Sequence, residues 1–490
     1  MLLLYDLWFR FMIICFNFFL TYHIFNATMK QKGKEDFFMA LDPKTNAQKW
    51  LSYAREQSEF LNDTAKKNIE KYRKGYCKIK FVDKDGNPVV GKKVSVCLKD
   101  HEFKYGANIF MLDEFPDEKR NAAYRDNFSK YFNLATVPFY WDGLEPEQGK
   151  PRFAKDSTKV YRRPAPELCV EYCENNGIAA KLHCLVYDKF IPEWLKRDDM
   201  DYMEKAYEER IAQIAQRFNG RLYEVEVINE LLCENNWHYK SVISSKRDIV
   251  EWSFALARKY MPKEKLVINE GNFTREYQTY GYRHPYYMLC DLALSKGVCI
   301  DKIGVQHHCF SGATTVTDEQ YENEIFGADN AVMFNPLGIF RELTTLATLG
   351  KPTEITEITV PTFGDTEADE ELQADLLDVL YTTAFAQRDL ENVVYWNVPD
   401  GYAYQPAGRN WNENKCRGGL FHNDVTPKKS AERLYEMFKK RWHTEETLET
   451  DENGYIEFFG FYGKYTADIC GKASDFSITK NGSNSITVNV

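Results

Sequence analysis

The sequence predicts a closed α/β barrel of eight strand–helix units, (β/α)8, with a small accessory β-module formed by the N- and C-terminal segments. Three observations predict it. Short, β-branched apolar runs alternate with helix-length amphipathic runs eight times over about 340 residues. The strand-like runs end on polar residues that fall in phase from one unit to the next. Both ends of the chain instead carry period-two alternation broken by turn residues. An open, doubly wound sheet is the structural alternative, but no Gly-rich phosphate turn follows the first barrel strand.

In chain order, residues 1–41 are a hydrophobic and polar opening. The run 11–20 follows Arg10 and has the length of a signal core, yet Asp6 precedes it and no small-x-small cleavage site follows. It is short for a membrane helix. A signal peptide, a membrane anchor and a true start at Met29 stay open, and with them secretion or anchoring against a cytoplasmic place. Residues 42–75 read as a helical lead-in, with Trp50, Tyr53 and Ala54 at helical spacing. Residues 76–103 read as a β-hairpin: 77–82 and 93–98 alternate, and 83–88 supply turn residues. The barrel domain spans 104–443. Its strands are expected at 105–109, 134–138, 179–186, 223–228, 265–268, 302–305, 352–355 and 393–396, with helices such as 202–218, 246–260, 372–387 and 428–441. Residues 444–490 return to strands at 454–459, 465–469 and 485–490, expected to join the N-terminal pair in one module. That module reads first as a scaffold under the barrel, although carbohydrate binding stays open.

Composition narrows the function classes. Lys and Arg number 63 against 73 Asp and Glu, a net charge of −10 without any basic block, so nucleic acid is an unpromising partner. The twelve cysteines are scattered, with no paired CxxC set of metal spacing, which favours free thiols and a reducing compartment. No metal and no cofactor are expected: His307 and His308 lack a third ligand at a convincing spacing. A monomer acting on a polysaccharide or oligosaccharide is the expected assembly.

The chemistry is in the strand ends. The fourth strand runs through Val225, Val227 and Ile228 into Asn229 and Glu230, and the seventh runs into Glu357. A carboxylate ending a buried strand is costly unless something uses or pairs it. In one parallel barrel both would face the same mouth, and two carboxylates facing one cleft are the minimal equipment of glycoside hydrolysis. The third strand ends in His183 with Tyr187 and Asp188 beyond, the fifth in Asn269 to Asn272, the sixth in Gln306, His307 and His308, and the eighth in Trp396 and Asn397. One such residue is more often structural than catalytic. Six successive strands ending this way point to a site.

This series resembles glycoside hydrolase family 10, the β-1,4-xylanase family, over roughly residues 101–442. The matching stretches are 144–149, His183 with Leu185 and Val186, 192–194, 227–230, 268–272, 304–308, 355–357, and Trp396 with Asp400. The resemblance implies a retaining double displacement, with Glu230 as the protonated general acid/base and Glu357 as the ionised nucleophile. It implies that Asn229 binds the sugar 2-hydroxyl and that His308 holds Glu357 in place and ionised. Gln306 would lie close to Glu230, His183 would line the sugar at the cleavage point, and Trp396 would be a ring platform.

The sequence also departs from the family. The amide- and acid-rich run with a lysine, which in the family reads sugars on the non-reducing side, is here Thr136 to Asp142, rich in aromatics. Tyr187 and Asp188 stand where the family carries Trp-His, and are assigned to the sugar. Thr359 replaces an acidic residue, and Tyr404 a second tryptophan. A xylanase, a retaining glycosidase for another glycan or for an aryl or decorated glycoside, and a non-catalytic carbohydrate-binding protein all remain open.

Overall fold

The computed structural model describes residues 49–236, 240–271, 273–315, 317, 320 and 330–490. The N-terminal run 11–20, and Asn272 of the fifth barrel strand's end, lie outside the described residues. Among those described, no helix is long and apolar enough to cross a membrane.

Two strands, β1 (Lys74–Val82) and β2 (Lys93–His101), precede the barrel. The barrel strands are β3 (Lys104–Asn108), β4 (Leu134–Pro138), β5 (Ala179–His183), β6 (Glu224–Asn229), β7 (Lys265–Glu270), β8 (Lys302–His308), β9 (Thr353–Thr359) and β10 (Leu390–Tyr395). They close in sequence order, β10 pairing with β3, and every pair is parallel. All eight expected strands are present. Helices between them follow from pattern and caps: Met200–Phe218 starts where Asp199 accepts from the Tyr202 N–H, and buries Met203, Tyr207, Ile211, Ile214 and Phe218 at helical spacing. Glu367–Phe385 opens with a capping box of Thr366 and Asp369. Pro166–Asn176 ends where Gly177 takes φ +67°, the left-handed turn that glycine adopts without strain.

After the barrel come β11 (Glu445–Glu449), β12 (Tyr455–Phe461), β13 (Gly463–Ile469), β14 (Lys472–Ile478) and β15 (Ser485–Asn489). The expected hairpin of the N-terminal strands does not form: β1 lies between β12 and β15, and β2 lies between β11 and β13. The connection between them is too long for a tight hairpin turn, and it contains Pro88 and left-handed Gly86 and Gly91. The chain therefore crosses from one sheet to the other, and the two ends form one two-sheet module. Along β2, Val94, Val96 and Leu98 turn inward while Lys93 and Ser95 face solvent, the half-buried alternation of such a sheet. The cysteines among the described residues are all free.

The module sits under the starts of β3 and β10, away from the strand ends. Arg73 Nε donates to the Phe385 carbonyl at 2.7 Å, and its guanidinium lies between the rings of Phe103 and Phe385 at 4.7 and 4.8 Å. Around it Tyr105 stacks on Phe438 at 3.9 Å, and Phe385 on Trp442 at 4.4 Å.

Candidate active site

The barrel interior is ionic below the mouth. Lys181 of β5 meets Glu354, with Glu224 at 3.5 Å and Glu226 at 3.8 Å, while Lys302 of β8 meets Glu224 at 2.8 Å. These side chains are fully buried. Burial opposes ionisation of Glu224, but Lys302 and Lys181 overcome it and lower that pKa, whereas burial and the Glu224 charge push the Glu354 carboxyl up to about 8. Removing either lysine would strand a buried charge. None of this layer is visible in an apolar strand pattern, because inward positions of adjacent strands pair only once the barrel closes.

Above it the strand ends converge on a cleft of about 490 Å³. Two register shifts lie just before the polar residues, between Glu226 and Ile228 in β6 and between Val305 and Gln306 in β8. Such bulges re-aim the side chains that follow. Glu230 itself takes φ +52°, a left-handed conformation rare for a side-chain-bearing residue and frequent at functional sites. Its carboxylate accepts from the Tyr187 hydroxyl and, through Oε1, from Gln306 Nε2 at 3.1 Å, with Lys189 Nζ 3.7 Å away. Glu357 Oε1 accepts from the same Gln306 Nε2 at 3.0 Å and from Asn269 Nδ2 at 3.2 Å. His308 Nε2 lies 3.1 Å from Glu357 Oε2, and its Nδ1 lies 2.9 Å from the Thr359 hydroxyl. Asn229 accepts from Asn269 at 2.8 Å, which faces its amide into the cleft beside both carboxylates.

The pKa shifts of the pair run opposite to the sequence expectation. Burial pushes the Glu357 carboxyl well above its usual range; nearby His183 pulls it back, and the Glu226 and Glu230 carboxylates add to the rise. Burial also opposes ionisation of Glu230, but Lys189 and the hydrogen bonds from Tyr187 and Gln306 outweigh it, leaving that carboxyl below its usual range. His308 does not supply a positive charge to Glu357: burial lowers its pKa to about 4, and Thr359 offers a hydroxyl where an acid would have charged it. The neutral ring therefore holds Glu357 by a hydrogen bond through Nε2 and is itself fixed by Thr359 through Nδ1. The sequence argument missed Lys189, whose effect is visible only when it is seen beside Glu230.

The other predicted residues divide. Tyr187 and Trp396 line the cleft in one buried cluster with Phe110 and Tyr140, and His183 lines it beside the Tyr140 ring at 5.1 Å. Both His183 nitrogens are occupied, Nδ1 by Glu226 and Nε2 by the Tyr140 hydroxyl at 2.9 Å. Burial opposes a charged imidazole there, but Glu226 prevails and raises the His183 pKa. Trp396 packs edge-on against Phe110 and His183, each at 5.2 Å. Asp188 does not reach the cleft. It is buried behind the wall, where it accepts from the Tyr207 hydroxyl at 3.0 Å and from the Ser241 hydroxyl at 2.9 Å, fixing the segment that carries Tyr187. Asp400 is likewise structural, accepting from the Gly419 N–H at 2.7 Å and from Lys428 at 3.1 Å. Tyr404 lines the cleft, as do Arg162, Arg163, Lys189, Arg275, Trp411 and Glu413, none of which carried a sequence signal.

Two trios among the described residues have metal-ligand spacing: His183, Glu226 and Glu357 in the barrel, and Cys97, His443 and Glu445 in the module. In the first, the candidate ligand atoms already hold one another or Gln306, Asn269 and His308.

Comparison with known proteins agrees with this geometry. The family model described as glycosyl hydrolase family 10 matches residues 101–437. The anti-sigma-I factor RsgI6 of Acetivibrio thermocellus is 27% identical over 437 residues, 88% of this chain and 48% of its own length. Endo-1,4-beta-xylanase 2 of Arabidopsis thaliana is 24% identical over 434 residues, 87% of this chain and 34% of its own. This chain thus spans a third to a half of the length of these relatives. Among solved structures, xylanase 10B of Thermotoga petrophila, crystallised with xylobiose, superposes with a TM-score of 0.53 at 19% identity, over 69% of this chain and 95% of that one. At that identity the likeness is one of fold.

Proposed function

This chain belongs to glycosyl hydrolase family 10, and from that premise we propose that it cleaves β-1,4-linked xylan or xylo-oligosaccharides by a two-glutamate, retaining double displacement. The observation that carries the mechanism is the Gln306 amide, which donates to Glu230 Oε1 at 3.1 Å and to Glu357 Oε1 at 3.0 Å. Two oxygens sharing one donor nitrogen at these distances are separated by at most about 6 Å, which supports the short spacing of retaining enzymes over the ~6.5 Å or more of inverting ones.

Glu357, held by Asn269, Gln306 and His308, attacks the anomeric carbon from one face. Glu230 gives its proton to the leaving oxygen, and after departure takes one from the water that attacks the glycosyl ester. Turnover therefore uses the arrangement with the pair's proton on Glu230. A glycoside favours it, since its leaving oxygen accepts a hydrogen bond from the neutral acid and its ring displaces water from Lys189 and Glu230. In this reading Asn229 donates to the 2-hydroxyl, Trp396 and Tyr187 bound the ring, and His183 holds Tyr140 against it.

The reading is tested by following the anomeric proton of the first-formed product on aryl β-xylobioside, with Glu357→Ala alongside. A β-product and loss of at least ~10⁴ in kcat uphold it. An α-product sinks the retaining mechanism, preference for another aryl glycoside sinks xylan, and absence of turnover on every glycoside favours a carbohydrate-binding role. The altered wall at Thr136 to Asp142 is the observation that keeps a substrate other than plain xylan in view.

A further inference from the structure

The chain as a whole is acidic, with a net charge of −10, yet the described lining of its cleft is not. Among the described residues four cations line it, Arg162, Arg163, Lys189 and Arg275, against Glu413 and a catalytic pair that shares one proton in its working form. Lys189 is committed to Glu230 at 3.7 Å. Arg163 has no carboxylate within ion-pair distance among the described residues; its guanidinium lies 3.9 Å over the Tyr140 ring, between Phe110 at 5.6 Å and Phe190 at 5.7 Å. One of its N–H groups donates to the Arg162 carbonyl at 3.0 Å. A guanidinium stacked on an aromatic face keeps its in-plane N–H groups for a ligand at its edge.

Arg162, behind it, is 6% exposed; its guanidinium donates to the Tyr402 carbonyl, Glu413 acts on it from nearby, and its Nε is buried without a hydrogen-bond partner. Burial still outweighs Glu413 there, so the charge is only partly offset, and an anion in the cleft offsets it further. The wall is also unbalanced as a reader of neutral sugar. A hydroxyl both donates and accepts, whereas guanidinium groups only donate, and the aromatics of Phe139 to Trp141 bring few acceptors. An oxyanion, which only accepts, matches such a wall.

Taking the glycosidase reading above as given, we propose that this cleft is built for an acidic glycan, with Arg163, backed by Arg162, binding an oxyanion carried by a sugar next to the cleavage point. The shared chemistry is that of a uronate carboxylate or a sulfate ester, and the planar guanidinium edge favours the carboxylate, which it can meet with two parallel hydrogen bonds.

The test uses the full chain and four matched xylo-oligosaccharides: unsubstituted, glucuronosyl-substituted, the same with its carboxyl methyl-esterified, and sulfated. The expected result is that kcat/KM for the acid exceeds that for its neutral ester by about tenfold, chiefly through KM. Arg163→Gln should bring acid and ester within about twofold, with Arg163→Lys between. Preference for the sulfated compound over the uronate keeps the oxyanion site and overturns the carboxylate as its occupant. Equal turnover of acid and ester, or preference for the unsubstituted chain, overturns the proposal while leaving the hydrolase reading intact. If nothing is hydrolysed, the hydrolase reading falls, and the proposal is decided separately by calorimetric binding of acid and ester to Glu357→Gln: tighter binding of the acid upholds it, equal binding ends it.

Discussion

At the scale of single residues, Lys189 decides more of the electrostatics than any residue the sequence put forward. It holds Glu230 on the ionised side of its usual range, whereas proton donation needs that carboxyl protonated. The sign of its removal follows: without the nearby positive charge Glu230 retains its proton to higher pH, so the alkaline limb of kcat/KM against pH should move upward in Lys189→Met. An unmoved or downward-shifted limb would show that Lys189 does not set the acid's titration. Asp188 teaches the complementary lesson. Beside Tyr187 in sequence it looked like a sugar contact, but consecutive residues after a strand end diverge, and its side chain turned inward to Tyr207 and Ser241.

At the scale of elements, the site depends on how closely β7, β8 and β9 approach at their C-terminal ends. Gly304 of β8 has no room for a side chain: a Cβ there would stand 2.5 Å from Thr356 Cγ2 and 3.1 Å from Asn269 Oδ1. Thr356 donates to Asn269, and Asn269 to Glu357, so the same crowding reaches Glu357. Gly304→Ala should cost about 1–3 kcal/mol of stability and lower kcat more than it raises KM. Denaturant unfolding and initial rates check this, and a variant equal to the parent in both would show that the strands can yield. A strand-pattern reading registers Gly304 as a weak β-former, because what it makes room for lies on the neighbouring strands.

At the scale of the molecule, the barrel and the module share a base. Both neighbours of β1 and both neighbours of β2 come from residues after 444, so removing 444–490 leaves two N-terminal strands without partners. It also uncovers the aromatic layer of Phe385, Phe438 and Trp442 that Phe461 helps to close. Truncation after residue 443 should lower the melting temperature by ~5 °C or more, or leave the protein insoluble. A truncated chain that melts with the parent and keeps its kcat/KM would mean that the barrel stands alone.

The sequence by itself determined the strand–helix alternation, the barrel, the joining of the two ends in one module, and the positions of Glu230, Glu357, Gln306 and His308 at the strand ends. These follow from local periodicity and from the rule that parallel strands present their C-terminal residues at one mouth. Tertiary structure decided everything that depends on two distant segments meeting. It placed β1 and β2 in separate sheets, formed the ionic layer of Lys181 and Lys302 with their glutamates, and set Lys189 against Glu230. It also brought Arg162 and Arg163, from a loop without any motif, onto the aromatic wall at Tyr140. Periodicity reports which face of an element is buried. Charge pairing and stacking report what that face is buried against, and only the closed barrel supplies the partner.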